Sequence, residues 1–212
     1  MKFERKPVQG IGINDVYDDP FIGKTPQAKY YKVWLSIYFR CYSPSCHQKL
    51  PTYMNCSVSK EWIYLSNFRE WFNQNYVEGY HLDKDLLFPG NKVYGPNTCV
   101  FVTSNINSLF VFSNSTRGKY PLGVNFHKTS NLFEAKCKDG KGNRIRKTFK
   151  DPTEGHFFYL EQKINIINQY LEEDHSEQIK TGLNRWKQLL TYHVNNKIIF
   201  DPDNINMTLY NQ

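Results

Sequence analysis

Between residues 132 and 149 apolar and polar side chains alternate with a period of two, a pattern that admits few folds. In NLFEAKC, Phe133, Ala135 and Cys137 fall on one side, and Leu132, Glu134 and Lys136 on the other. In NRIRKTF, Ile145, Lys147 and Phe149 oppose Arg144, Arg146 and Thr148. With GVNF just upstream, the pattern predicts three short strands joined by polar turns, one of them Asp139-Gly140-Lys141-Gly142. Asp151-Pro152-Thr153-Glu154 then opens a helix in which Phe158, Leu160, Ile164, Ile167 and Leu171 recur at roughly helical spacing. A sheet with one apolar face needs a cover, and this helix is the nearest one. The expected class is α+β.

The same stretch holds most of the charge. Residues 117–150 carry ten Lys or Arg against Glu134 and Asp139, a local net of +8, whereas the whole 212-residue chain carries +7. A concentrated positive field favours a polyanion, because each neutralised phosphate releases counterions. The alternation leaves Lys136, Arg144 and Arg146 on the sheet face that the helix does not cover, where they can meet base edges. Lys128 and Lys138 are placed for phosphates, which position a protein without reading sequence.

Upstream, residues 1–28 are rich in Gly and Pro with few apolar anchors, and form an arm that is ordered only if something holds it. Residues 30–42 place Tyr30, Trp34, Ile37 and Cys41 on one helical stripe that stops at Ser43-Pro44. Residues 66–75 form a second short helix, with Ser66 as N-cap and Phe68, Trp71 and Phe72 as its apolar face. Residues 81–112 are turn-rich, with a turn at Phe88-Pro89-Gly90-Asn91, and give two strands followed by a helix or loop. Near the C-terminus, residues 176–193 form a helix with Ile179, Leu183, Trp186 and Leu190 as its stripe. With 40% hydrophobic and 16% aromatic residues the chain can bury a core. No apolar run approaches the ~18 residues of a membrane helix. The start has no hydrophobic stretch of a secretory signal, and five cysteines suit a reducing compartment. The expectation is a soluble intracellular protein.

The segment LDKDLLFPGNKVYGPNTCVFVTSNINSLF resembles the HNH (ββα-metal) motif of bacteriophage proteins related to homing endonucleases. RCYSPSCHQKLPTY, CSVSKEWIYLSNFREWF and GYHLDKDLL are also similar to such proteins. The block PLGVNFHKTSNLFEAKCKDGKGNRIRKTFKDPTEGHFFYLEQK resembles the APETALA-type DNA-binding domain, a three-stranded sheet backed by one helix. Together these segments lie within residues 30–171, and their order is that of phage HNH proteins. The resemblance implies a nuclease module at 29–115 with helical additions and a DNA-binding module at 116–174. These are flanked by the arm at 1–28 and a C-terminal helix and tail at 175–212. It also implies hydrolysis of phosphodiester bonds in double-stranded DNA, in the cytoplasm of an infected bacterial host.

An HNH site needs one divalent cation on the scissile phosphate and a base that activates water. Carried over onto this sequence, Asp83 is the metal carboxylate and Asn97 the central asparagine that holds the hairpin together. Asn105 is the helix-borne ligand, with Asn107 its competitor. Oxygen ligands of this kind suit Mg²⁺ or Mn²⁺. The family's general-base histidine follows the metal carboxylate directly, and here that position is Lys84. A solvated lysine is a poor base at neutral pH. His81 and Asp85, each two residues from Asp83 on the same face of an extended strand, are two alternatives, and water activated by the metal alone is a third. Cys41, Cys46, His47 and Cys56 offer four zinc-ligand types. Because Cys41 falls on a buried stripe and the Cys46-His47 neighbours point different ways, a structural zinc ion is not expected. The runner-up function is a catalytically inactive, nuclease-derived phage protein that binds DNA or a host protein. Oligomeric state is not set by the sequence.

Overall fold

The computed structural model describes residues 5–17, 28–112, 119–138 and 142–205. They form two compact units, one of residues 1–85 and 91–101, the other of residues 86–90 and 102–212. The turn residues Asp139, Gly140 and Lys141 lie outside the described residues.

The first unit is built on α1 (Lys29–Tyr42), whose buried residues are Tyr30, Trp34, Ile37, Tyr38 and Cys41. That is the stripe expected from the sequence, widened by Tyr38. Pro44 cannot continue α1 but starts a short helix α2 (Pro44–Lys49). Two residues of strand follow, β1 (Ser57–Val58), and then α3 (Leu65–Asn75), which buries Leu65, Phe68 and Phe72. The core is aromatic: Trp62 meets Phe68 edge-on at 4.8 Å between centroids, and Phe72 meets Phe101 edge-on at 5.5 Å. The Trp34 indole N–H donates to the Trp62 carbonyl at 2.9 Å, which satisfies that polar atom inside the core.

The N-terminal arm is held where the sequence offered little to hold it. Val8 and Gly12 form a bridge, Ile13 pairs in parallel with Tyr64, and Asp15 accepts hydrogen bonds from the Ser66 amide (2.9 Å) and hydroxyl (2.5 Å). Asp15, from 51 residues away, therefore supplies the cap that the sequence suggested for Ser66. Gly12 allows this approach, since a Cβ there would lie 2.7 Å from the Tyr38 ring.

Next come β2 (His81–Asp83), β3 (Val93–Tyr94) and β4 (Val100–Val102). β2 pairs with β4, while β3 leaves them and pairs in parallel with β1. After β4 a short helix α4 (Ser104–Leu109) starts at Thr103, whose side chain accepts from the Ile106 amide.

In the second unit β5 (Val124–His127), β6 (Leu132–Lys138) and β7 (Arg144–Phe149) form an antiparallel sheet with β6 in the centre. Helix α5 (Pro152–Leu171), capped by Asp151, lies on it, and α6 (Glu177–Asn195), capped by Ser176, packs on α5. The three strands, their cover helix and the α6 stripe follow the periodicities of the sequence. Gly155 gives the closest contact of α5 with the sheet, facing Val124, Ala135 and Phe149. Gly123, at φ +85°, lies against Tyr159, whose ring would stand 2.2 Å from any Cβ there. The segment Leu86–Gly90 is anchored by α6, where Arg185 donates to the Leu87 carbonyl at 2.7 Å and lies over the Phe88 ring.

The buried side of α5 departs from expectation. Leu160 and Ile167 are buried, but Phe158, Ile164 and Leu171 are only half-buried, and the interior is completed by His156, Phe157, Tyr159, Lys163, Ile166 and Tyr170. Two of these are polar and each has a backbone partner. Lys163 Nζ donates to the Leu109 carbonyl at the end of α4 (2.8 Å), and burial pushes its pKa down. His156 Nδ1 meets the Leu122 carbonyl at 2.8 Å, and its Nε2 accepts from the Phe200 amide at 3.0 Å. This pair of bonds requires the neutral ring with its proton on Nδ1.

Burial holds the His156 pKa below the usual histidine value of 6.5, partly opposed by the Leu122 carbonyl. The folded state thus prefers the neutral ring, so this contribution is fully present above pH 6.5 and is lost progressively as pH falls from there through the lower pKa of the folded state. Thermal melts from pH 7.5 to 5.5 should show falling stability, by no more than ~1.4 kcal/mol per pH unit for one proton. His156→Gln, which keeps a donor and an acceptor, should flatten that slope; an unchanged slope would assign the pH dependence to other groups.

Candidate functional site

The expected site residues concentrate at the end of β2. The strand runs from surface to interior: His81 is exposed, Leu82 half-buried and Asp83 buried at 7% exposure. Asp83 Oδ1 accepts the Asp85 amide at 2.8 Å, an Asx turn that bends the chain out of the strand. Lys84 is also buried, at 5% exposure. Its ammonium donates to Asp85 Oδ1 at 2.5 Å and to the Asn91 carbonyl at 3.1 Å, and lies 5.9 Å from the centre of the Tyr94 ring.

The electrostatics of Lys84 decide what it can do. Burial alone would lower its pKa, but Asp85, through charge and hydrogen bond, with smaller contributions from Cys56 and Asp83, outweighs burial and leaves the pKa above 10.5. Lys84 is therefore an ammonium at neutral pH. It cannot take a proton from water, and its position between Asp85 and Asn91 turns it away from the surface.

The asparagine that holds this loop is Asn91. Its amide donates to the carbonyls of Lys84 and Val93, both at 2.8 Å, and its Oδ1 accepts from the Val93 amide at 3.1 Å. The sequence expectation gave the hairpin-holding role to Asn97, which lies elsewhere in the loop. Asn97 sits exposed in the turn of residues 96–98, and its side chain forms no hydrogen bond with another described residue. Thr98 tightens that turn, its hydroxyl donating to the Val93 carbonyl at 2.7 Å. Asn91 follows Pro89-Gly90, so the sequence marked it only as a turn residue. The double use of an asparagine side chain across such a turn is the signal that identifies it.

Asn105 and Asn107 lie on α4, in the second unit, whereas Asp83, Asp85 and His81 lie in the first. Ile106 and Leu109 are the buried residues of α4; Asn105 is exposed and Asn107 half-buried. Two residues apart on a helix is about 200° of rotation, so only one of the two asparagines can face a given ion. Taken singly, the Asp83 carboxylate and an asparagine amide are hard oxygen donors of the kind that suits Mg²⁺ or Mn²⁺. Among the described residues no group of three His, Cys, Asp or Glu side chains is arranged to hold a metal.

The cysteines are free thiols in the interior. Burial pushes Cys41 up to about 12, as it does Cys99, and raises Cys56 as well. His47 is bonded to the Arg40 carbonyl through Nε2 at 2.9 Å.

The sheet of the second unit gathers the cationic candidates. Its register pairs Lys136 with Arg146 and Lys138 with Arg144 across β6 and β7. Directly opposed residues share a face, and this one lies away from α5, because Ala135 and Phe149 face the helix. Lys138 thus joins the open face instead of flanking it. Lys128 is exposed in the turn after β5. Arg144, Arg146 and Lys138 are exposed, Lys136 is half-buried, and none has a salt bridge to another described residue. Lys147 points to the helix side, its ammonium over the Phe149 and Phe158 rings, each at 5.4 Å.

No protein-family model matches the chain, and neither curated proteins nor solved structures show a significant similarity to it. The reading of the site rests on its geometry and on the sequence.

Replacing Asn91 by Ala removes three hydrogen bonds and leaves the Lys84 carbonyl unsatisfied, which should destabilise by about 2–3 kcal/mol. Asn97→Ala should stay within about 0.5 kcal/mol of wild type. Urea unfolding of the two variants checks this, and a reversed order would return the structural role to Asn97.

Proposed function

We propose that this chain is a metal-dependent DNA endonuclease of the HNH type, whose basic sheet module binds double-stranded DNA. The observation that carries the DNA partner is the register of β6 and β7. Lys136 opposite Arg146 and Lys138 opposite Arg144 are like charges at ~5 Å, an arrangement that destabilises a free sheet. A polyanion on that face relieves the repulsion, and the ~10 Å spread of three strands is comparable to a major groove about 12 Å wide. The nuclease half of the proposal rests on the likeness of residues 82–110 to the HNH motif and on a buried carboxylate, Asp83, at the end of a strand.

In this reading Asp83 would be the carboxylate ligand of one Mg²⁺ or Mn²⁺, which would supply Lewis acidity at the scissile phosphate and stabilise the leaving oxygen. The rest falls to the chain's own residues. Asp85 gives its amide to Asp83 and its carboxylate to Lys84, so it orients Asp83 and is already engaged as an acceptor. His81 is exposed and two residues from Asp83, which leaves it as the side chain suited to take a proton from water. Lys128, Lys136, Lys138, Arg144 and Arg146 grip phosphates and reach base edges.

Plasmid incubated with Mg²⁺ or Mn²⁺ should be nicked or linearised, and Asp83→Asn, which can still accept the Asp85 amide, should lose at least ~100-fold in rate with DNA binding retained. Arg144→Ala combined with Arg146→Ala should weaken DNA binding and lower the slope of log K against log salt by about 2. Salt-sensitive binding without cleavage would favour the inactive DNA-binding reading. Absence of both would point to a protein partner.

A further inference from the structure

The sheet order β5-β6-β7 leaves β7 at an edge, and among the described residues no strand pairs with its outer side. Which of its backbone groups point outward follows from the ladder. The Lys136 amide donates to the Gly123 carbonyl at 3.0 Å, so the backbone of Lys136 turns toward β5, and by alternation that of Ala135 and Cys137 turns toward β7. Ala135 is opposite Lys147, and Cys137 is opposite Ile145. Ile145, Lys147 and Phe149 therefore bond β6, while the N–H and C=O groups of Arg144, Arg146 and Thr148 point out of the sheet.

Two surfaces adjoin this edge. On the side away from α5 stand the exposed Arg144 and Arg146 side chains, and β7 itself holds three cations and no carboxylate. On the α5 side is a groove of about 460 Å³ with Phe149, Phe157 and Phe158 in its lining, together with Lys147, Lys197, Glu154 and Glu161. Lys147 lies over the Phe149 and Phe158 rings, and Lys197 lies over the Phe157 ring at 5.1 Å.

We propose that the β7 edge docks an extended segment of a partner protein in which acidic and apolar residues alternate, added to the sheet as a fourth strand. The outward backbone groups of Arg144, Arg146 and Thr148 supply the pairing, and a period of two sends alternate side chains of the segment to opposite faces. Those on the open face stand beside Arg144 and Arg146, which carboxylates complement. Those on the other face reach the phenylalanine groove, where two lysines and two glutamates balance, so apolar side chains fit it. A second copy of this chain is a poor occupant, because two β7 edges side by side bring Arg and Lys against Arg and Lys. The inference does not depend on the nuclease reading.

The test is fluorescence anisotropy of the full chain with a fluorescein-labelled, acetylated peptide of four Glu-Val repeats. It should bind at least ~10-fold more tightly than four Glu followed by four Val, a peptide of the same charge and composition. In antiparallel addition the Glu residues lie opposite Arg144 and Arg146, and their amides donate to β7. N-methylation of the Glu amides should cost at least ~10-fold, and N-methylation of the Val amides less than ~3-fold. Equal affinity for the two sequences, or equal loss on methylating either set, would overturn the proposal, and both comparisons use the wild-type chain. Arg144→Glu combined with Arg146→Glu locates the site: preference should switch to a peptide of four Lys-Val repeats, a gain that misfolding does not produce. If that variant still prefers the Glu-Val peptide, the edge is not the docking site and the proposal falls.

Discussion

A buried ammonium between a carboxylate and a carbonyl holds the centre of the first unit together. Lys84 could not be placed at 5% exposure without partners, since an unpaired buried charge is far more costly than any packing it gains. Asp85 supplies the charge, and the Asn91 carbonyl supplies a second acceptor. Asn91 then ties the start of the 84–93 excursion to its end by bonding Lys84 and Val93. With that excursion closed, Val93–Tyr94 is delivered to Ser57–Val58 as a parallel pair, and Tyr94 enters the aromatic core. The position of Asp83 follows from the same closure, because its carboxylate is oriented by the Asp85 amide.

The second unit depends on a simpler constraint. Its sheet has one face that must be covered, and α5 covers it where Gly155 lets the helix approach and Gly123 leaves room for the Tyr159 ring. Once Ala135, Cys137 and Phe149 face inward, the period of two forces Lys136, Lys138, Arg144 and Arg146 outward together. The apolar packing that stabilises the unit thus concentrates the positive charge that the proposed function uses. Lys163 and His156 extend this packing, joining α5 to the end of α4 and to the segment at Phe200.

Much of this was legible in the sequence wherever one face of an element is buried and the other is not. The stripe of α1, the three strands and the stripe of α6 are set by periodicity alone. Helix α5 was harder, because apolar residues run nearly around it. Burial there is shared with His156 and Lys163, whose partners lie 34 and 54 residues away. The same limit hid the Asp15 cap of α3, which arises from an arm with no internal pattern. Position in a motif also did not substitute for bonding. Asn97 occupied the expected place, but the loop is held by Asn91, and only the observed partners distinguish the two. For Lys84 the sequence showed what was missing, a base, while burial and pairing show what is present, a fixed cation.

The charge state of Lys84 is the most direct test of this account. In metal-free protein, the ¹³Cε and ¹⁵Nζ resonances of Lys84 can be followed by NMR between pH 6 and 11. The account predicts an ammonium that titrates only above the ordinary lysine range. A lysine that titrates below pH 8 would contradict it, and would make Lys84 a base in place of a counter-ion.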